Sequence, residues 1–404
     1  MFHLVYADKS GRVFDDSQYG AVLRSGNLLL APEEGELVPM PEGSTLVVLP
    51  GRSPAASNDA GDVVRYERDD AQAVAALLPQ GWLRTYLPGY RRLPERLPLF
   101  GYTAVAWRDG GFWVAALPAA ESEDLHRWAP ELFNTGDLTS LIETRRGEFP
   151  NNRVIEQLSK CSVEYCCFTA QNMMYRRFEA GLPLSPVCNA NCVGCISLQV
   201  SECCPSPQSR ITFLPKAEEM IAPAVAHLRG GGDMVSFGQG CEGEPLVQGE
   251  LAAEIVRGIR SQTDRGKINA NTNAGHFAGV KAVVDAGIDS LRVSLNSPRS
   301  ELYDPYYRQG SYGFADVKRS IKYARSQDVF VSVNLLVMPG VSDREEEVEA
   351  LLDFIAETRI NQVQFRNLNI DPDFYLSVIP TAKGDILDMA ALYEAVRETG
   401  VLTR

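Results

Sequence analysis

Cys188-Asn189-Ala190-Asn191-Cys192-Val193-Gly194-Cys195 sets three cysteines at Cys-x3-Cys-x2-Cys spacing in a single short loop. Three thiolates this close can wrap one face of a cubane cluster, because thiolates are the ligands iron–sulfur clusters take. Three ligands leave one iron open, and an open coordination position is what separates catalytic from structural metal sites. The same thiols could instead begin a zinc site, completed by another cysteine or a histidine. Zinc ribbons use paired Cys-x2-Cys knuckles, whereas this chain has one such knuckle and only four histidines.

Six further cysteines flank the loop: Cys161, Cys166 and Cys167 before it, Cys203, Cys204 and Cys241 after it. None lies in the first 160 or the last 160 residues. Nine clustered cysteines in a chain of 404 residues fit a metal site better than the disulfide framework of a small secreted protein. The six could supply an auxiliary iron–sulfur cluster, for which four thiolates are usual. They could equally be small hydrophobes of the core. Cys241 could also be a reactive thiol.

Downstream of the loop, strand and helix signals alternate. Strands are expected at 182–187, 233–237, 267–271, 290–295, 329–337 and 362–367. Helices are expected near 216–229, 249–261, 277–286, 313–326 and 343–357. Such alternation implies an α/β fold with a parallel sheet and right-handed crossovers. Periodicity leaves both an open doubly wound sheet and a partial barrel available. Upstream, short strands are broken by turn signals. Residues 102–107 and 112–117 flank Asp109-Gly110-Gly111, a hairpin pattern, and 71–78 reads as one short helix. The division expected is a strand-rich amino-terminal domain over 1–120, a mainly helical connector over 121–180, the α/β unit over 181–380, and a carboxyl-terminal helix and tail over 381–404.

The cysteine loop, placed after a strand that opens a run of βα units, resembles that of the radical S-adenosylmethionine (radical SAM) superfamily. The likeness extends over about residues 181–370, because every strand ends in polar or glycine-rich residues. The second strand runs into Gly238-Gln239-Gly240-Cys241-Glu242-Gly243-Glu244-Pro245, and Gly243-Glu244-Pro245 resembles the segment that holds the methionine amino group in that family. The fourth ends in Ser294-Leu295-Asn296-Ser297, similar to the family's ribose- and carboxylate-binding position. Asn273 and Arg366 stand at the ends of the third and sixth.

The resemblance implies a partial (β/α)6 TIM-like barrel over 181–380 beside the smaller strand-rich domain. Cofactors would sit at the carboxyl ends of its strands, where barrel enzymes in general place their sites. It implies a 4Fe-4S cluster on Cys188, Cys192 and Cys195 as the catalytic centre. S-adenosylmethionine would be held by Gly243, Glu244, Asn273, Ser294, Asn296 and Arg366. Glu244 would pair with the cofactor's ammonium, a charge-assisted contact of about 1.5–3 kcal/mol. Reductive cleavage would release a 5′-deoxyadenosyl radical that abstracts hydrogen from a substrate. The reductant implied is a protein such as a flavodoxin or ferredoxin. The substrate, a small molecule or a peptide, is not identified by these residues.

Two features depart from the family pattern. Gly194 stands where many members carry an aromatic residue near the adenine, and Cys241-Glu242 reads as an insertion ahead of Gly243-Glu244. Tyr303, Tyr306, Tyr307 and Tyr312 follow the fourth strand; a tyrosine there could face the substrate, and the default role is packing against a helix. Competing readings are weaker. Gly238-x-Gly240-x-x-Gly243 formally matches a dinucleotide fingerprint, but Pro245 falls where a helix should already run and the cysteines go unexplained. A non-catalytic iron–sulfur electron carrier would have no use for the residues at the strand ends. A zinc-dependent binding module would have none for an open cluster loop.

Composition narrows the field. The chain is 45% hydrophobic and 23% charged, which supports a globular core. No apolar run approaches the length of a membrane span, and the first residues show no basic-then-apolar leader, so a cytoplasmic location is expected. The net charge of −13 disfavours nucleic acid and anionic membranes as partners, although Arg84, Arg91, Arg92 and Arg96 could form a local basic patch. Anaerobic reconstitution should load iron together with acid-labile sulfide, and Cys192→Ala should lose both. Zinc without sulfide in the wild-type protein would sink the cluster reading.

Overall fold

From Phe178 onward the chain lays down a seven-stranded, all-parallel sheet in strict chain order. The strands are β1 (Phe178–Gly181), β2 (Gly232–Phe237), β3 (Lys267–Thr272), β4 (Ser290–Leu295), β5 (Phe330–Val337), β6 (Gln362–Asn367) and β7 (Leu402–Thr403). This computed structural model describes residues 1–91, 95–119, 126–199 and 206–404. The sheet is open, with β1 and β7 at its edges. Helices α4 (Ala217–Arg229), α5 (Gly249–Arg260), α6 (Phe277–Asp285), α8 (Phe314–Ser326) and α9 (Glu345–Thr358) make the crossovers, and α7 (Ser300–Tyr307) precedes α8. Before the sheet lie α1 (Leu138–Glu148), α2 (Arg153–Glu164) and α3 (Phe168–Tyr175). After β6 come α10 (Pro372–Val378) and α11 (Met389–Glu398).

Period-two alternation gives this sheet two different faces. Leu291, Val293 and Leu295 of β4, and Val331, Val333 and Leu335 of β5, are buried in the main apolar core with the helices. The alternate residues on the other face are mostly polar, and several bond to one another. Arg292 donates to Glu179 Oε1 at 3.0 Å and to Asn271 Oδ1 at 2.9 Å. Ser236 donates to the same Glu179 oxygen at 2.6 Å.

Two expected elements differ. The first strand is not 182–187 but Phe178–Gly181, because Pro183 and Pro186 have no N–H to give a ladder. The amides of Leu184 and Ser185 bond instead to the Glu242 carboxylate. Residues 71–78 are not helical: Gln72–Leu77 is a strand that pairs with His3–Ala7, Thr45–Val48 and Tyr102–Thr103. Its alanines are divided between two small apolar clusters, Ala73 and Ala75 in one and Ala76 in the other, neither of which includes a helix residue among the described residues. The hairpin is as expected: Val105–Arg108 pairs with Gly111–Val114, and Asp109 and Gly110 both take the positive φ such a two-residue turn needs. The segment 381–404 carries α11 and then adds β7 to the sheet.

The amino-terminal strands dock onto the carboxyl ends of β5 and β6. The Arg84 amide donates to Asn367 Oδ1 at 2.9 Å, and Asn367 Nδ2 returns a bond to Trp82 O at 2.9 Å. Buried Arg24 meets Asp373 at 2.6 Å, and buried Arg52 meets Asp371 at 3.3 Å. Arg84 is fully buried, so it belongs to no surface basic patch, and Arg96 lies over the Phe374 ring. Arg92 falls outside the described residues. Among the described residues no helix is long and apolar enough to cross a membrane.

His227 locks α4 beneath the start of the sheet. Its Nε2 lies 3.1 Å from the Phe178 carbonyl, and a Cβ on Gly232 would come within 2.0 Å of the same nitrogen. Burial pushes its pKa from 6.5 down to about 4. The neutral ring is therefore required, and its contribution is complete above pH 6.5 and lost as pH falls toward 4. The stability of wild type relative to His227→Asn should shrink by about 3 kcal/mol across that interval. Denaturant titrations at several pH values would show this; a constant difference would contradict it.

Candidate active site

A cavity of about 530 Å³ opens at the carboxyl ends of the strands, within the usual size of a small-molecule site. Cys188, Cys192 and Cys195 form part of its wall, and Leu78 to Trp82 of the amino-terminal strands form another. The cysteine loop is pinned from outside. Its Asn191 and Val193 amides donate to the Tyr307 and Tyr306 carbonyls at 2.9 and 3.0 Å, where α7 ends. Asn273 Nδ2, at the end of β3, donates to Asn189 Oδ1 at 2.7 Å.

Glu242 organises the opposite wall. One carboxylate oxygen accepts from Leu184 and Ser185 at 2.8 and 2.9 Å; the other accepts from Gly238 and Gln239 at 2.7 and 2.8 Å. It thereby ties the approach to the cysteine loop to the glycine-rich turn after β2. Burial pushes its pKa up to about 7, against the pull of those four donors. The two segments continue in register, with Gly243 N on Ser185 O at 2.7 Å and Glu244 N on Val187 O at 3.0 Å. Only glycine fits at 243, since a Cβ there would come within 2.0 Å of the Val187 carbonyl.

Glu244 is buried, and its carboxylate accepts from Thr272 Oγ1 at 2.5 Å, Asn273 N at 2.7 Å and Leu246 N at 3.0 Å. Burial raises its pKa. Gly194 has its Cβ position filled by another aromatic: a methyl there would lie 2.8 Å from the Tyr306 hydroxyl. Tyr306 also lines the cavity.

The thiols suit a cluster. Burial raises the pKa of Cys188, and burial followed by the charges of Cys188 and Cys195 raises that of Cys192. Deprotonation therefore needs a compensating cation, which iron would supply. Arg210 supports it: Nη2 donates to Cys195 Sγ at 3.6 Å and Nε to Ser197 Oγ at 3.1 Å. Among the described residues, no three His, Cys, Asp or Glu side chains converge on a point for a single metal ion. A cluster attaches each thiolate to a different iron and has no such requirement.

Cys188, Cys192, Cys195, Gly243, Glu244, Asn273, Ser294 and Arg366 all line this one cavity. Asn296 does not. Since β4 ends at Leu295, its alternation does not carry to Asn296, whose Nδ2 donates to Leu302 O at 3.0 Å and Tyr375 Oη at 3.2 Å. Glu242, Arg210 and Trp82 are the participants that sequence reasoning missed, while Tyr306 and Tyr307 are the two of the four tyrosines that reach the cavity. An acidic residue inside a glycine-rich turn could have flagged Glu242; nothing in the sequence flags Arg210. Of the remaining cysteines, Cys161 and Cys241 are buried, Cys167 is half-buried and Cys166 is exposed. Cys203 and Cys204 lie outside the described residues.

Residues 182–355 match the Radical SAM superfamily model. Members of that superfamily use a 4Fe-4S cluster and S-adenosylmethionine. The GTP 3′,8-cyclase of Limosilactobacillus fermentum is 26% identical over 194 residues, which are 46% of this chain and 52% of that enzyme. The chain thus spans about half the length of this relative. SuiB of Streptococcus suis, bound to precursor peptide SuiA, superposes with a TM-score of 0.40 at 16% identity over 61% of this chain and 50% of that one. A radical SAM methyltransferase from Sphaerobacter thermophilus gives a TM-score of 0.41 at 17% identity, over 55% and 64%.

Glu242→Gln would turn an N–H₂ toward two of the four amide donors. It should cost about 3 kcal/mol of stability in denaturant titrations. Hydrogen exchange at Leu184, Ser185, Gly238 and Gln239 should accelerate; unchanged exchange at all four would remove Glu242 from this role.

Proposed function

We propose that this enzyme, whose residues 182–355 are a radical SAM domain, cleaves S-adenosylmethionine reductively and uses the 5′-deoxyadenosyl radical to abstract hydrogen from a substrate. The observation that carries this reading is the meeting of Cys188, Cys192, Cys195 and the Gly243-Glu244 turn on one cavity within that domain. When bound, the 4Fe-4S cluster supplies the electron that breaks the sulfonium bond.

The chain's own residues divide the rest of the work. Cys188, Cys192 and Cys195 would hold the cluster. Arg210, donating to the Cys195 sulfur, would stabilise its reduced state, as hydrogen bonds to cluster sulfurs do. The Gly243-Glu244 turn would present its edge to the methionine end of the cofactor, with Asn273 and Ser294 on the neighbouring strand ends. Glu244 already accepts three bonds, so its part is to fix this edge as much as to meet the ammonium. Tyr306 would offer the aromatic surface that Gly194 lacks. Trp82 and its neighbours would close the cavity against water, which preserves a reactive radical.

On this reading the first six strands of the open sheet, from Phe178 to Asn367, form a partial (β/α)6 barrel, and the amino-terminal strands form a domain that walls the substrate side. The enzyme would work in the cytoplasm, reduced by a protein such as a flavodoxin or ferredoxin, on a small molecule or peptide. Anaerobic incubation with dithionite and S-adenosylmethionine should yield 5′-deoxyadenosine by mass spectrometry, and Cys192→Ala should abolish it. A loaded cluster with no 5′-deoxyadenosine would favour the electron-carrier alternative.

A further inference from the structure

The polar face of the sheet holds more positive charge than the protein neutralises. Arg292 is matched by Glu179, with guanidinium-to-carboxylate distances of 3.0 and 3.3 Å. Arg366 has no such partner. It stands next to Leu336 in the β5–β6 register, one layer above Gln364 and Asn334, on the floor of the cavity. Its one hydrogen bond inside the protein runs from Nη2 to Gln364 Oε1 at 2.8 Å. No carboxylate among the described residues comes within ion-pair distance of it. Burial, then Arg292 and Arg404, push its pKa down to about 10. Arg366 is half-buried, and its unmatched donors open onto the cavity, where an anion can reach and complete them.

The cavity's two carboxylates cannot serve. Glu242 holds four backbone amides, and Glu244 holds two amides and a hydroxyl. Nor is Arg366 the cation beside the cysteines: Arg210 donates to Cys195 Sγ at 3.6 Å, whereas Arg366 donates to Gln364 Oε1. The cavity therefore has a cluster side, with its own cation, and a second side around Arg366 bounded by Leu336, Phe365 and Trp82.

We infer that Arg366 is the anchor for an anionic group of the substrate, a carboxylate or a phosphate, whose less polar body lies against Leu336 and Trp82. This rests on the radical SAM reading of the same cavity and narrows its substrate class to anions. It also separates Arg366 from the residues that hold S-adenosylmethionine. A planar fork of donors favours two-oxygen recognition, which a carboxylate and a phosphate both offer.

The test uses the anaerobic, cluster-loaded enzyme in calorimetric titrations with acetate, with inorganic phosphate and, separately, with S-adenosylmethionine. At least one anion should bind wild type, and Arg366→Gln should weaken it about tenfold or more, with Arg366→Lys falling between. Stronger binding of acetate would point to a carboxylate substrate, and stronger binding of phosphate to a phosphorylated one. S-adenosylmethionine affinity should change far less than anion affinity in both variants. Three results would overturn the inference: neither anion binding wild type, anion affinity unchanged in Arg366→Gln, or an equal loss for S-adenosylmethionine. Wild type that binds an anion but not S-adenosylmethionine would instead defeat the radical SAM reading and leave the anion anchor standing.

Discussion

The carboxylate of Glu242 is the constraint on which the rest of the site depends. A buried carboxylate is tolerable only when its lone pairs are taken up, and here four backbone amides from two separate segments do so. One segment leads directly to Cys188, and the other carries Gly243 and Glu244. Fixing the distance between them fixes the cysteine edge and the Gly243-Glu244 edge of one cavity relative to each other. Two prolines make this arrangement necessary, because residues 182–187 cannot finish the strand by themselves.

The amino-terminal strands are held to this frame by charge. Arg24 with Asp373, and Arg52 with Asp371, are buried ion pairs at the start of α10. Buried pairs of this kind add little net stability but penalise every misaligned arrangement, since a shifted partner leaves a bare charge. The outcome is that Trp82 and the preceding loop face the strand ends in one orientation. A cavity wall contributed from so far away in sequence can then be as exact in placement as one contributed by the sheet itself.

Much of this was legible in the sequence, and the failures have specific causes. The Cys188 to Cys195 spacing and the strand–helix alternation identify the α/β unit, because thiolate chemistry and side-chain periodicity are local. The first strand was misplaced by four residues because an apolar run outweighed two prolines. Residues 71–78 were misread because their alanines suit a helix, whereas three neighbouring strands decide the matter by tertiary pairing. Asn296 lies in the family-like segment with Ser294, but β4 ends at Leu295 and its side chain turns to Leu302 and Tyr375. Glu242 and Arg210 act through contacts made across the fold, and such contacts leave no periodic trace.

The two faces of the parallel sheet are under different demands. The apolar face and its helices carry the stability, so a change there is felt throughout the fold. The other face is a hydrogen-bonded network of side chains around the Arg292–Glu179 pair, in which each polar group depends on its neighbours. On such a surface a change of specificity comes by exchanging partners together, charge with countercharge, while the cysteine loop and the outer core stay as they are.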